Sequence, residues 1–335
     1  MLKNRRFLLA SRPTGKVVLE NFKFVTEDLA APKVGEVLVR NQYLSVDPTN
    51  RIWMTDADQY MPPIALGEVI RAGGIGVVLE SNAPGFAKGD LVNGLLGWQD
   101  YALQPAQALQ KLPTGLDVPV TAFLSVLGMT GCTAYFGLLD VVNPRAGETL
   151  VVSGAAGAVG SIVGQIGLIA GLRVIGIAGG PAKCRWLTED LGFHGAIDYK
   201  SEDVEASLRR LCPSGIDVYF DNVGGPISDA VFSRMNNHGR VSLCGLISGY
   251  NSQEPLAAPR NYAQILMKRL NVRGFIILDY MGPRWGQAVQ SMYGWVKAGK
   301  IKYAVDVEHG LENAPAVLNK LFDGSNTGKL LLQIS

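Results

Sequence analysis

Histidine is scarce in this sequence: His194, His238 and His309 are the three in 335 residues, and each stands alone. A zinc site draws His and Cys ligands from short, repeated spacings, and neither a helical His pair nor a C-x-x-C pair exists here. The four cysteines, Cys132, Cys184, Cys212 and Cys244, are far apart in apolar or helical contexts and read as reduced, buried thiols. Metal-independent chemistry is the expectation. Neither sign of charge dominates: 31 Lys and Arg against 29 Asp and Glu, interspersed, leave a net charge of +2. That provides no basic stripe for nucleic acid. No apolar run is long enough to cross a bilayer. The apolar stretch after Lys3, Arg5 and Arg6 is too short for a signal peptide and soon meets Pro13, so it reads as an edge strand. These absences leave a soluble, cytoplasmic protein with a small-molecule partner.

What the chain has in quantity is glycine, 40 residues, and apolar side chains, 47%. That combination describes an α/β protein with many tight turns, and the length favours two domains. Residues 1–121 read as short strands (36–41, 74–80, 90–94 and 101–104) broken by prolines, giving a β-rich domain. Residues 122–299 alternate strand and helix, with strands at 148–153, 173–178, 195–198, 217–221, 239–244 and 272–278. Six strands alternating with helices imply a doubly wound parallel sheet. Residues 300–335 return to strand and turn character and are expected to rejoin the first domain.

The most informative stretch is 150–160, where a buried-strand pattern runs through Gly154, Gly157 and Gly160 into an apolar helix at 161–170. Glycines in such a turn let the main chain approach a pyrophosphate, and the N–H groups of the helix's first turn point at its charge. The GxxGxxG spacing is only a relative of GxGxxG, and a glycine-rich helix start that binds nothing is the plain alternative. The strand at 173–178 completes a strand-helix-strand unit of the size that binds nucleotides. An NAD-selective site places Asp or Glu at the end of that second strand. Here the strand runs out through Gly179, Gly180, Pro181, Ala182, Lys183, Cys184 and Arg185 without a carboxylate. Repulsion of a 2′-phosphate is therefore absent, and Lys183 or Arg185 could supply a cation. NADP(H) is favoured as cofactor, although a solvated helix lysine is the ordinary fate of Lys183.

Several short motifs in order resemble one known family over nearly the whole chain. They are Asn4-Arg5-Arg6-Phe7 with Ala10-Ser11-Arg12-Pro13, Leu44-Ser45-Val46-Asp47-Pro48 with Arg51, Gly97-Trp98-Gln99-Asp100-Tyr101, and the segments 128–135, 155–160, 220–225, 244–251 and 324–329. The chain resembles the medium-chain dehydrogenase/reductase superfamily, and within it the zinc-free prostaglandin reductase or leukotriene hydroxydehydrogenase branch of NADPH-dependent alkenal/one reductases. The resemblance implies a GroES-like first domain completed by the C-terminal tail, a Rossmann domain between, and a homodimer, with the sheet edge at 272–278 as its contact. Zinc-dependent relatives place a Cys near 44–47 and a His in a Gly-His-Glu motif. This chain has Leu66-Gly67-Glu68 there and no cysteine before Cys132.

The same resemblance assigns roles. Gly157, Ala158, Val159 and Gly160 would carry the pyrophosphate; Lys183 and Tyr199 would meet the adenosine 2′-phosphate, and Gly179 would also touch the cofactor. Asn222 would lie along the cofactor, with Cys244, Gly245, Leu246, Ile247, Ser248 and Tyr250 lining its nicotinamide half. Phe275, Ile276, Ile277, Asn326, Met129 and Thr130 would complete the pocket. Each has a plain rival: Tyr199 as a strand cap, Phe275 as core, Asn222 as a turn former, Met129 as an apolar filler.

Without a metal, a hydride acceptor must be activated by hydrogen bonding. Hydride addition to the β-carbon of an enone or enal develops charge on the carbonyl oxygen, and a donor there binds the transition state better than the substrate. Tyr250 is the candidate donor, alone or with a cofactor ribose hydroxyl, and a lining aromatic without a catalytic bond is its alternative. The family's Asp-Pro-Tyr-Met-Arg run is here Asp47-Pro48-Thr49-Asn50-Arg51, so an aromatic is lost and Trp53 is gained nearby. Prostaglandin substrates therefore do not transfer; Trp53, Tyr60 and Tyr262 suggest an apolar pocket for medium-length or aromatic enones. A quinone reductase and a non-catalytic NADP-binding homologue are the alternative functions.

Overall fold

The computed structural model describes residues 2–115, 117–254 and 259–335. In chain order its strands are β1 (Lys3–Leu9), β2 (Phe22–Asp28), β3 (Glu36–Ser45), β4 (Gly73–Ser81), β5 (Leu91–Leu95), β6 (Tyr101–Pro105) and β7 (Leu109–Lys111). There follow β8 (Thr149–Ser153), β9 (Arg173–Ala178), β10 (Gly195–Asp198), β11 (Ile216–Asp221), β12 (Met235–Leu243) and β13 (Asn271–Gly274), then β14 (Val305–His309) and β15 (Lys329–Gln333). The chain divides into two units. The first comprises Met1–Leu124, Val305–Asn326 and Leu330–Ser335; the second comprises Ser125–Ala304 and Thr327–Lys329.

The first unit is built on antiparallel pairing. β1 and β2 form a ribbon, and a seven-stranded sheet runs β14-β15-β3-β4-β5-β7 with β6 paired to β3. Its core gathers Phe7, Phe22 and the fully buried Trp98, whose rings meet at centroid distances of 5.6 to 6.1 Å. Arg51, 2% exposed, uses its guanidinium on the carbonyls of Pro13 and Gly15 and so ties the chain after β1 to the helix Pro48–Trp53. β2 alternates Phe22-Lys23-Phe24 at its start but ends in Thr26, Glu27 and Asp28, and five of its seven residues are exposed. It forms because the register of β1 places Phe24 opposite Phe7, stacked at 4.5 Å.

The second unit holds, among the described residues, a six-stranded parallel sheet ordered β10-β9-β8-β11-β12-β13. All five residues of β8 and all of β9 after Arg173 are buried. Strands covered on both faces read as continuous apolar runs, which is how they show in the sequence. The helix Gly160–Ile169 lies directly on the sheet. A Cβ on Gly164 would sit 1.9 Å from the Phe193 ring and one on Gly167 2.7 Å from Leu150, so the small residues set the approach.

The expected strand at 272–278 stops at Gly274. Phe275 turns its ring onto Phe220 and Tyr280, at centroid distances of 6.4 and 6.3 Å, and Ile277–Tyr280 winds into a short 3-10 turn. The cysteines are all free, but only Cys132 and Cys212 are buried; Cys184 and Cys244 are half-buried, against the expectation of four buried thiols. No described helix is long and apolar enough to cross a membrane.

Candidate functional site

The glycine turn lies where β8 ends. Gly154 takes a left-handed φ of +59°, and its carbonyl accepts the Gly157 N–H at 3.0 Å, closing a tight turn before the helix that begins at Gly160. A Cβ on Gly160 would lie 2.4 Å from the Gly154 carbonyl oxygen and 2.8 Å from Ala155 Cα, so the turn admits no side chain there. The N–H groups at a helix start have no partner within the helix and favour an anion. A second segment meets this turn: the Gly328 N–H donates to Ala156 O at 3.0 Å, and Gly328 bridges to Gly157. The sequence carries no local sign of that return, because 171 residues separate the two glycines.

The end of β9 is organised by β10. A Cβ on Gly179 would meet the Tyr199 ring at 2.9 Å, so glycine lets the half-exposed tyrosine lie against the main chain. Gly180 N–H donates to Asp198 Oδ1 at 2.7 Å, and Asp198 also accepts from Lys200 N–H and the Ser201 hydroxyl. The Gly180 bond is the main reason that the Asp198 carboxyl is held below the usual carboxylate range. No acid lies in residues 179–185 after β9, yet Asp198 from the neighbouring strand accepts the Gly180 N–H. Its charge is met by backbone amides and the Ser201 hydroxyl, and the cations near this turn are Lys183 and Arg185, on the short helix Pro181–Arg185, and Lys200, whose Cε would lie 3.0 Å from a Cβ on Gly179.

A third cluster forms at the carboxyl ends of β11 and β12. The Asp221 carbonyl accepts Cys244 and Gly245 N–H, the Asn222 carbonyl accepts Ile247 N–H, and the Val223 carbonyl accepts both the N–H and the hydroxyl of Ser248. Asn222 donates its side-chain amide to Ser153 O at 2.7 Å and its backbone N–H to Ser153 Oγ at 2.9 Å. The Tyr250 hydroxyl accepts the Leu246 N–H at 2.9 Å, which folds the phenol back over its own loop. Burial pushes the Cys244 thiol up to about 12, so it is a neutral wall group at physiological pH.

The other expected site residues have these surroundings. The Phe275 ring belongs to the aromatic packing with Phe220 and Tyr280, and half-buried Ile276 and Ile277 follow it. Thr130 is buried with its hydroxyl on Ser125 O at 3.0 Å, whereas Met129, at the start of the same helix, is 43% exposed. Trp53 is 7% exposed and packs in the core of the first unit under the Arg71 guanidinium, so it is not an open pocket wall. A six-residue helix gives too short a pattern to say which face points inward. Tyr60 is 42% exposed and hydrogen-bonds Thr49; Tyr262 is 67% exposed and lies in the second unit, while Asn326 is in the first. Among the described residues no three His, Cys, Asp or Glu side chains gather as a metal-binding group.

Residues 5–112 match the family model described as the N-terminal domain of oxidoreductases, and residues 158–293 match that of the zinc-binding dehydrogenases. The NADPH-dependent curcumin reductase of Escherichia coli is 45% identical over 99% of this chain and 97% of its own length. The chain belongs to the medium-chain dehydrogenase/reductase superfamily. Within this superfamily it falls in the zinc-independent enone reductase branch. The NADP(+)-dependent 2-alkenal reductase of Nicotiana tabacum is 40% identical over 100% of this chain and 98% of its own length. CurA from Vibrio vulnificus, solved in complex with NADPH, superposes with a TM-score of 0.93 at 44% identity, covering 99% of each chain.

Proposed function

We propose that this protein reduces the carbon–carbon double bond of α,β-unsaturated ketones and aldehydes, with medium-length or aromatic enones as its substrate class. It is an NADPH-dependent oxidoreductase. The chain's own geometry fits that cofactor: Gly160 has no room for a side chain, which keeps the turn from Gly154 tight at the helix start where a pyrophosphate binds, and Lys183 and Tyr199 follow β9 and β10 where a 2′-phosphate is read. When bound, NADPH supplies the hydride that adds to the substrate's β-carbon.

The remaining work falls to side chains. The Tyr250 hydroxyl donates to the substrate's carbonyl oxygen as negative charge grows there, and a positioned donor of this kind is worth about 3–4 kcal/mol in a water-poor site. Its acceptor side is engaged by Leu246 N–H, which fixes where the phenol oxygen sits. A proton from water then completes the α-carbon. Tyr262, exposed and in the same unit as Tyr250, is the aromatic surface proposed for the substrate.

One observation carries this reading: the glycine turn, Asn222 and the loop bearing Tyr250 converge through hydrogen bonds at the carboxyl ends of β8, β11 and β12. The test is turnover with one acyclic aryl enone, followed by product analysis. A saturated ketone is expected; an allylic alcohol would mean carbonyl reduction, and turnover of quinones alone would move the enzyme to quinone reduction.

A homodimer and a cytoplasmic location belong to the same proposal. β13 is the last strand of its sheet, all four of its residues are exposed, and Leu266, Met267 and Met281 are exposed around it in sequence. An edge of that kind suits pairing with a second copy. Sedimentation should give twice the 35.9 kDa chain mass, and a monomer would remove the dimer.

A further inference from the structure

A buried carboxylate holds the parts of this site together without being one of the groups assigned to binding or chemistry. Asp221, the last residue of β11, is 2% exposed. Its Oδ1 accepts the Tyr219 hydroxyl at 2.8 Å, the Ser153 hydroxyl at 3.0 Å, and the N–H groups of Val223 and Gly224 at 2.9 Å each. Its Oδ2 accepts the Ser228 hydroxyl at 2.5 Å. These donors are hydroxyl and amide groups. Hydrogen bonds to an ionised acceptor are roughly twice as strong as neutral ones, and a fully satisfied buried network rigidifies what it joins.

Two loops depend on this node. On one side Ser153, fully buried at the end of β8, donates to Asp221 and accepts the Asn222 N–H, while the Asn222 amide returns to the Ser153 carbonyl. The next residue is Gly154, where the glycine turn begins. On the other side the main chain of 221–223, held by the same carboxylate through Val223 and Gly224, receives the N–H groups of Cys244, Gly245, Ile247 and Ser248, the loop that carries Tyr250.

We propose that Asp221 is a positioning residue that sets the glycine turn and the Tyr250 loop in one register, so that cofactor affinity and placement of the Tyr250 hydroxyl are fixed by a single buried carboxylate. This inference rests on the reading of the site given under Proposed function. Asparagine can replace most of the arrangement: its carbonyl takes the Oδ1 bonds, and its amide faces Ser228, whose hydroxyl can turn to accept. Alanine cannot, and leaves five donors, four of them on buried residues, without this acceptor.

The experiment compares full-length Asp221→Ala, Asp221→Asn and Tyr219→Phe. The Tyr219 hydroxyl meets Asp221, Ser228 and Ser153, but Tyr219→Phe keeps the Asp221 carboxylate and its bonds to Ser153, Val223 and Gly224, so this variant reports loss of network stability with both loops still tied to Asp221. Melting temperature, NADPH Kd from fluorescence titration, and kcat at saturating NADPH and enone are measured where all three are folded. Tyr219→Phe should melt lower yet keep Kd and kcat within about twofold. Asp221→Ala should raise Kd and lower kcat, each on the order of tenfold, as expected for a loss near 1.4 kcal/mol at each loop. Asp221→Asn should recover most of both. Asp221→Ala with the Kd and kcat of Tyr219→Phe would overturn the proposal, as would Asp221→Asn that is as impaired as Asp221→Ala. If Asp221→Ala does not fold, Ser153→Ala severs one arm of the node and must raise the NADPH Kd by a similar factor. Wild-type protein that binds NADPH but yields no saturated ketone would sink the enone reading, and the Kd comparison would still decide the role of Asp221.

Discussion

Alanine at Gly157 and at Gly160 should both weaken NADPH binding but only the second should cost stability, because the same turn is tight at one position and open at the other. At Gly160 a Cβ would stand 2.4 Å from Gly154 O, 2.8 Å from Ala155 Cα and 2.9 Å from Gly154 C. All three are backbone atoms, so no side chain can swing aside and the turn itself must open. Overpacking of this kind costs roughly 1–3 kcal/mol, and at roughly 2–4 °C per kcal/mol for a unit of this size Gly160→Ala should melt several degrees lower. The displaced turn should also weaken NADPH binding by about tenfold or more. At Gly157 the one close atom is Gly154 O at 3.2 Å, and φ is not left-handed. Gly157→Ala should therefore melt within about 2 °C of wild type, with any strain offset by the loss of unfolded-state freedom. Its NADPH Kd should nevertheless rise by about tenfold, or about 1.4 kcal/mol, because the methyl stands where the main chain must approach a pyrophosphate. Calorimetry and fluorescence titration with NADPH give both quantities. A Gly157→Ala protein with wild-type stability and wild-type NADPH affinity would refute the assignment of this turn to the cofactor.

Tyr250→Phe removes the proposed donor and also the acceptor for Leu246 N–H. It should lower kcat by about 10²-fold or more, while NADPH Kd changes only severalfold; unchanged kcat would take Tyr250 out of the mechanism. Lys183→Ala should raise the Kd for NADPH by about tenfold and leave that for NADH within about twofold, whereas equal losses for both cofactors would contradict a role at the 2′-phosphate. Burial pushes Cys132 and Cys244 up to about 12 and Cys184 and Cys212 up to about 11. At pH 8 each is thiolate in roughly one molecule in a thousand or fewer, against about a quarter for a free thiol near 8.5. Iodoacetamide should therefore label the folded enzyme far more slowly than free cysteine, and rapid labelling of Cys244 by mass spectrometry would show the site to be more open than described.

The parts of this fold that were legible in the sequence are those whose signal is local. β8 and β9 after Arg173 are short runs that are mostly apolar with both faces covered, and a run of that kind is visible without knowing its neighbours. The glycine turn is likewise a feature of eleven consecutive residues, 150–160. What escaped depends on long-range partners. β2 is mostly exposed and is paired with β1 along its length; Trp53 turns inward because a short helix can present either face to a core assembled elsewhere. Asp198 under Gly180, Gly328 on Ala156 and Asp221 beneath two loops are contacts between segments that carry no shared period or spacing. The ordered motifs named these segments, but not the hydrogen bonds that join them.

The most direct test of the central claim is where the hydride goes. Purified enzyme should be incubated with an acyclic aryl enone and NADPH carrying deuterium at both positions of nicotinamide C4, and the product examined by NMR. The account predicts a saturated ketone with one deuterium on the former β-carbon and none at the carbonyl carbon. Deuterium on a carbinol carbon, with the double bond intact, would contradict it.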